Sequence, residues 1–193
     1  MRPLATMSRL PEGLPTETLV RRALRGDRDA ESLLYRRYAP GVLSTALRLL
    51  RSHTSAEDVV QDAFVIGFAR LAQLKAPGQF RAWLLSIVVS QARKRLRRER
   101  LLQWVGLDAV ADAPLHLQAV GSASVEARGE LAVLDAMLRQ LPVAHRLAWT
   151  LRYVEGEKLD DVAAAMGKSL ATTKRYLNAA EERIAAHVAL EPA

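Results

Sequence analysis

The chain has 193 residues, of which 50% are hydrophobic and 25% charged; it contains no cysteine and carries a formal net charge of +7. That apolar content supports a packed core and excludes disorder over most of the length, while the missing cysteines exclude disulfides, thiolate zinc sites and cysteine nucleophiles. No apolar run approaches the ~20 residues that span a bilayer, and the N-terminus lacks the apolar core of a signal peptide, so a cytoplasmic protein without stable membrane insertion is expected.

The charge is unevenly spread. Residues 1–100 hold 19 Lys/Arg against 9 Asp/Glu, and residues 101–193 hold 9 against 12. A basic half beside a mildly acidic one points to a polyanionic partner. Ala, Leu and Arg dominate and aromatics make up only 5%, which favours helix over strand. The expected fold is all-α.

Residues 1–15, with Pro3, Pro11 and Pro15, read as a flexible lead-in. Helical patterning starts at the candidate N-cap Thr16 and stops at Gly26. Asp27 suits the cap of a second helix, which Pro40 is expected to end before a third begins. Ser55, with Asp58 three residues on, resembles a capping box and opens a long helix to about Leu74. On it Val59, Val60, Ala63, Phe64 and Ile66 suit a core. Asp58, Gln61 and Asp62 share one face by i, i+3, i+4 spacing. With no His or Cys nearby and no burial to tune them, these carboxylates fit a docking surface for a basic partner or a solvated face, not acid–base chemistry.

The Pro77–Gly78 pair marks a loop from Leu74 to Phe80. The helix from Phe80 to about Arg100 is apolar first and basic later: SQARKRLRRER holds six Lys or Arg in eleven residues. Residues 101–123 have no sustained period and read as a linker between two small domains, 16–100 and 124–190. Helical patterning resumes near Ser124, stops at Pro142 and restarts up to Gly156.

Near the C-terminus a short helix, Asp160 to Met166, is followed by Gly167, and Ser169 can cap a longer helix. This is helix-turn-helix spacing. Thr173, Leu177, Ala180, Ile184 and His187 or Val188 form its buried stripe. Ser169, Ala171, Thr172, Lys174, Arg175 and Asn178 lie at or near the N-terminal end, where a recognition helix meets DNA. An amphipathic helix pair without DNA contact has the same pattern. Residues 127–193 hold nine basic and nine acidic residues, so this half lacks the excess cation that non-specific DNA affinity needs.

SAEDVVQDAF, FRAWLLSIV, the Arg-rich run and LRQLPVAHRLAWTLRYVEGEKLDDVAAAMGKSLATTKRYLNAAEERI together resemble the bacterial extracytoplasmic-function (ECF) sigma factors of RNA polymerase. The resemblance covers about residues 16–100 and 124–188. It implies two all-helical domains, a region 2-like and a region 4-like one, joined by an extended linker. It implies promoter-specific transcription initiation, in a stress or envelope response, with core RNA polymerase, promoter DNA and an anti-sigma factor as partners. By the same resemblance Asp58, Gln61 and Asp62 dock on polymerase. Lys75 and Gln79, with Phe80 beside them, belong to the loop that captures a flipped base of the minus-ten element. The helix carrying Ser90, Lys94, Arg97 and Arg98 lies along the displaced strand, and the helix-turn-helix reads the minus-thirty-five element. The family usually has Asn at Ser90, Asp at Lys94 and Ser or Thr at Lys158, so the promoter sequence does not carry over. Within the basic run Lys94, Arg97 and Arg98 are expected to form the DNA-facing stripe, and Arg93, Arg95 and Arg100 to face solvent or pair locally.

The rival readings are a stand-alone helix-turn-helix regulator and a helical adaptor that holds polymerase or an anti-sigma protein without reading DNA. An enzyme is not expected: four scattered His and no Gly-rich phosphate loop assemble no catalytic or metal centre. No cofactor and no small-molecule substrate are implied.

Overall fold

The computed structural model describes residues 13–104, 136–138 and 140–188, all helix or short connection. Most of the expected linker 101–123, the expected lead-in and the helix resuming at Ser124 lie outside the described residues. In chain order the helices are α1 (Thr16–Ala23), α2 (Arg28–Leu50), α3 (His53–Ala69), α4 (Phe80–Trp104), α5 (Val143–Trp149), α6 (Leu159–Met166) and α7 (Leu170–Val188). Among the described residues there is no strand.

The turn between α1 and α2 follows from its sequence. Gly26 takes the left-handed conformation, φ 82°, which Gly adopts without steric cost. The Asp27 carboxylate then accepts from the backbone N–H of Asp29 at 3.1 Å and of Ala30 at 3.3 Å, satisfying two of the orphan donors that open α2. Its second oxygen accepts from Arg22 Nε at 2.7 Å. The bond from Arg22, helped by those amides, holds the Asp27 carboxyl below the usual carboxylate range.

Three expectations fail here. Pro40 does not end a helix: α2 runs through it from Arg28 to Leu50. An interior proline forfeits one backbone bond and crowds the preceding turn, costing about 3 kcal/mol. The buried residues on both sides, Leu33 and Leu34 before it and Val42, Ala46 and Leu49 after it, enter one core and offset that cost. The cap of α3 is Ser52, whose Oγ accepts from Ser55 N at 3.2 Å. Ser55 is itself buried inside the first turn, so the capping box lies one turn too late in the sequence reading. The helix also stops at Ala69, before short 3-10 turns at Leu71–Gln73 and Pro77–Gln79.

The core is continuous across the chain. It takes Leu19 and Val20 from α1, Leu34 and Leu49 from α2, Val59 and Phe64 from α3, and Leu84, Val88, Val89 and Ala92 from α4. It continues into Leu147 and Leu151 around α5, Val162 and Met166 of α6 and Leu177 of α7. Between α5 and α6 the backbone loosens to a π-helical turn, Thr150–Val154, ending near Gly156 at φ 69°.

Gly167 closes α6 at φ 59°, with Lys168 N bonded to Ala163 O and Gly167 N to Ala164 O. This is a Schellman-type end. An added Cβ there would meet nothing within 4 Å, so Gly167→Ala should lower stability through backbone strain alone, by about 1–2 kcal/mol. Urea unfolding followed by circular dichroism checks this, with an unchanged m-value expected.

Candidate nucleic-acid interface

The helix-turn-helix expected from the sequence is present. Ser169 Oγ accepts from Thr172 N at 3.2 Å and contacts Thr172 Oγ1 at 2.9 Å. These bonds fix the entry to α7. Thr173 is fully buried and returns its hydroxyl to Ser169 O at 3.1 Å. Leu177 and Ala180 continue the buried stripe, and Ile184 is half-buried. The side chains of His187 and Val188 lie outside the described residues.

On the opposite face Ser169, Ala171, Lys174, Arg175 and Asn178 are exposed and Thr172 is half-buried. Arg175 donates to Thr172 Oγ1 at 3.3 Å, which holds its guanidinium over the first turn. Lys158 gives α6 no side-chain cap, and Asp160 and Asp161 occupy the first turn instead, where negative charge suits the helix dipole. Beyond the reading face, Tyr153 donates to the Glu181 carboxylate. That bond, then burial, raises the Tyr153 pKa.

The basic end of α4 separates into two groups. Lys94, Arg97 and Arg98 are exposed, with Arg100 also exposed beyond them. Arg93 and Arg95 are used within the fold. Arg93 Nη1 donates to Met166 O at 3.2 Å, at the end of α6. Arg95 meets Glu99 at 3.3 Å and Asp58 of α3 at 3.7 Å. Ser90 is half-buried, while Lys75 and Gln79 are exposed on the preceding loop.

Phe80 departs from the expectation. It has no exposed surface and packs against Tyr38 and Trp83, with ring centroids 5.2 and 6.2 Å away. It cannot offer a face to a base. Its place at the head of α4, where the chain turns inward from the loop, makes it a core residue.

Asp58, Gln61 and Asp62 are exposed on α3. The sequence reading passed over their neighbour Val65, which is 65% exposed. Its spacing from Asp58 and Asp62 was the available signal, since it falls on their face and off the apolar stripe. Tyr35, 46% exposed, packs its ring at a tilt against Phe64, with centroids 4.7 Å apart. An apolar residue thus sits within the acidic face. Among the described residues no cluster of His, Asp and Glu could hold a metal ion, and no helix is long and apolar enough to cross a membrane.

Comparison with known proteins decides the family. The sigma-70 region 2 model matches residues 34–101, and the sigma-70 region 4 model matches residues 131–184. The chain is 30% identical over 183 residues to the ECF RNA polymerase sigma-E factor of Haemophilus influenzae, covering 91% of this chain and 96% of that one. The chain belongs to the ECF RNA polymerase sigma factors. Like other sigma factors it is a factor of transcription initiation. The RNA polymerase sigma-H factor of Pseudomonas aeruginosa is 29% identical, over 87% of this chain and 91% of its own. Two solved structures share the sigma-factor fold: CnrH in complex with the cytosolic domain of CnrY (TM-score 0.64, 23% identity, 93% of this chain and 100% of that one), and RpoE of Bartonella quintana in complex with the anti-sigma factor NepR (TM-score 0.61, 22% identity, 83% and 98%).

Two measurements test these placements. Phe80→Ala should cost about 3–5 kcal/mol of stability, as for other large core truncations, whereas Phe80→Leu should cost little and leave DNA binding intact. Chemical denaturation paired with a promoter-binding assay separates the two roles. His145 is packed on Tyr176, ring centroids 5.0 Å apart. Burial, reinforced by the Arg183 charge, lowers its pKa below the ordinary 6.5. The unfolded chain therefore takes up the proton first. Stability is full above about pH 6.5 and falls as pH drops through the folded-state value. His145→Phe should flatten the decline in melting temperature between pH 7 and 5.

Proposed function

We propose that this sigma factor works as two functional units, residues 16–100 and 124–190, joined through 101–123, which recruit core RNA polymerase and place it on a promoter. The observation that carries this reading is the division of the basic run on α4. Lys94, Arg97 and Arg98 sit at i, i+3, i+4 and are exposed, while Arg93 and Arg95 are engaged within the fold. Three cations free to meet phosphates along one helical stripe suit a single displaced strand.

The remaining parts take matching roles. Asp58, Gln61 and Asp62, with Val65 among them, form the polymerase-docking face. Lys75 and Gln79 line the loop that receives a base from the minus-ten element. Ser90 supports the strand beside it. Ser169, Ala171, Thr172, Lys174, Arg175 and Asn178 face the minus-thirty-five element. Lys174 and Arg175 suit phosphates or guanine edges and Asn178 suits adenine. The protein performs no catalysis of its own and acts in the cytoplasm. An anti-sigma factor is a further partner, on the precedent of the RpoE–NepR complex.

The near balance of charge in residues 127–193 favours polymerase-dependent binding over an autonomous regulator. Mixing the purified chain with core RNA polymerase and sequencing transcript 5′ ends on genomic DNA tests the reading. Defined start sites are expected. Replacing Lys94, Arg97 and Arg98 with Ala should weaken promoter opening at least ~10-fold and flatten its salt dependence by about three counterions. An equal loss from Arg93, Arg95 and Arg100 would show the stripe to be wrongly placed. Lys174→Ala with Arg175→Ala should abolish promoter-specific starts; retention of those starts would favour an adaptor that reads no DNA.

A further inference from the structure

The first turn of α1 brings a carboxylate onto the loop that precedes α4. Leu19 and Val20 are fully buried and seat this helix in the core. Thr16 Oγ1 lies 2.6 Å from the Tyr38 hydroxyl and accepts from Arg37 Nη1 at 3.2 Å, tying the same turn to α2. From there α1 packs against the Pro77–Gln79 turn, and Glu17 meets it directly. A Cβ placed on Gly78 would lie 3.0 Å from Glu17 Oε1 and 3.7 Å from its Cγ. The carboxylate therefore rests over a glycine, and a side chain at that position would push it aside.

Glu17 is free to change partners. Its ion pair with Arg21 is long, at 3.7 Å, and both side chains are more than half exposed, so the pair contributes little. An acid in the first turn suits the helix dipole, but that does not explain why this one leans onto Gly78. A carboxylate also opposes a phosphate backbone, so at a strand-binding loop it needs a donor on the ligand. The same loop exposes Lys75, Gly78 and Gln79. An ammonium only donates, an amide does both, and a carboxylate only accepts. Gly78 leaves bare backbone against which a flat ring can lie. Such a set matches a base with an exocyclic amine on its pairing edge. Cytosine and adenine place that amine beside a ring acceptor, and guanine places it beside a ring N–H. Thymine instead flanks its N–H with two carbonyl oxygens, which a carboxylate repels.

We propose that Glu17 is a specificity-determining residue of this loop: its carboxylate accepts a hydrogen bond from the exocyclic amine of the captured base, so that an amino-bearing base is taken and thymine is refused. This rests on the reading of Lys75 and Gln79 as lining a base-receiving loop. It adds to that loop a reading group supplied from outside it, by α1.

The test deletes one chemical group on each side of the contact. On a promoter defined by its transcript 5′ ends, a template premelted across the minus-ten element receives an abasic site at each non-template position in turn. The position with the largest loss of holoenzyme affinity identifies the captured base. That base is then replaced by an analogue lacking only the amine: pyrimidinone for cytosine, purine for adenine or hypoxanthine for guanine. Removing the amine should weaken binding by the wild-type holoenzyme at least ~10-fold. With Glu17→Ala the same change should cost no more than ~2-fold, the non-additivity that marks a direct contact. Gly78→Ala, which moves the end of a flexible side chain and no backbone, should also reduce the amine effect. Glu17 and Gly78 are exposed, so thermal melting should be unchanged in both variants. A Glu17→Ala holoenzyme that keeps the full amine effect, or loses affinity equally for both bases, would overturn the proposal. So would thymine at the captured position. If no abasic site weakens a holoenzyme that still starts transcription, the base-receiving reading of the loop fails, and the role of Glu17 with it.

Discussion

Everything in this structure depends on α4 being buried on more than one side. Its first four turns contribute Phe80, Leu84, Leu85, Val88, Val89 and Ala92 to the core. Those residues are not confined to one stripe, and a helix apolar on several faces needs several neighbours. Here α2 and α3 cover one part and α6 covers another. The basic run continues this anchored stem, with Leu96 still buried, so its exposed side chains are presented from a fixed platform. Separating the halves would lay apolar surface bare, at about 25 cal/mol per Å². The packing of α4 against α6 thus has an apolar origin.

Much of this was legible in the sequence because it is local. Gly26–Asp27 and Gly167–Ser169 announce their turns through residue types whose conformations and caps act within four positions. The division of α7 into a buried stripe and an open face follows from 3.6-residue periodicity. Pro40 was misread because its local cost is real, and only the packing of both flanking turns into one core offsets it. The cap of α3 was misplaced because Ser52 and Ser55 satisfy the same local rule; Ser55 is buried by its tertiary surroundings. Phe80 was placed beside the base-capturing loop by family resemblance, and its position in sequence suits a loop and a core alike; only the packing shows it buried.

The contacts of Glu155 with α2 lay beyond local reasoning altogether. Glu155 and its partners Thr45 and Arg48 are more than 100 residues apart in sequence. An acidic residue in EGEK has no periodic signal that could name an arginine on α2. The same holds for Arg93 and Arg95. Sequence spacing separates them from Lys94, Arg97 and Arg98, but only the position of α6 and of Asp58 shows what engages them.

The loop before α4 has one more consequence. Its two ends are pinned, since Leu71 and Phe80 are both buried. Pro77 fixes one backbone angle within it, Gln79 N closes a turn onto Ala76 O, and Gly78 lies so close to Glu17 of α1 that a Cβ would come within 3.0 Å of the carboxylate. The loop is therefore ordered before any partner arrives. In the proposed role, gripping a nucleotide there would require little further loss of loop entropy, so more of each contact made by Lys75 or Gln79 would remain as binding energy.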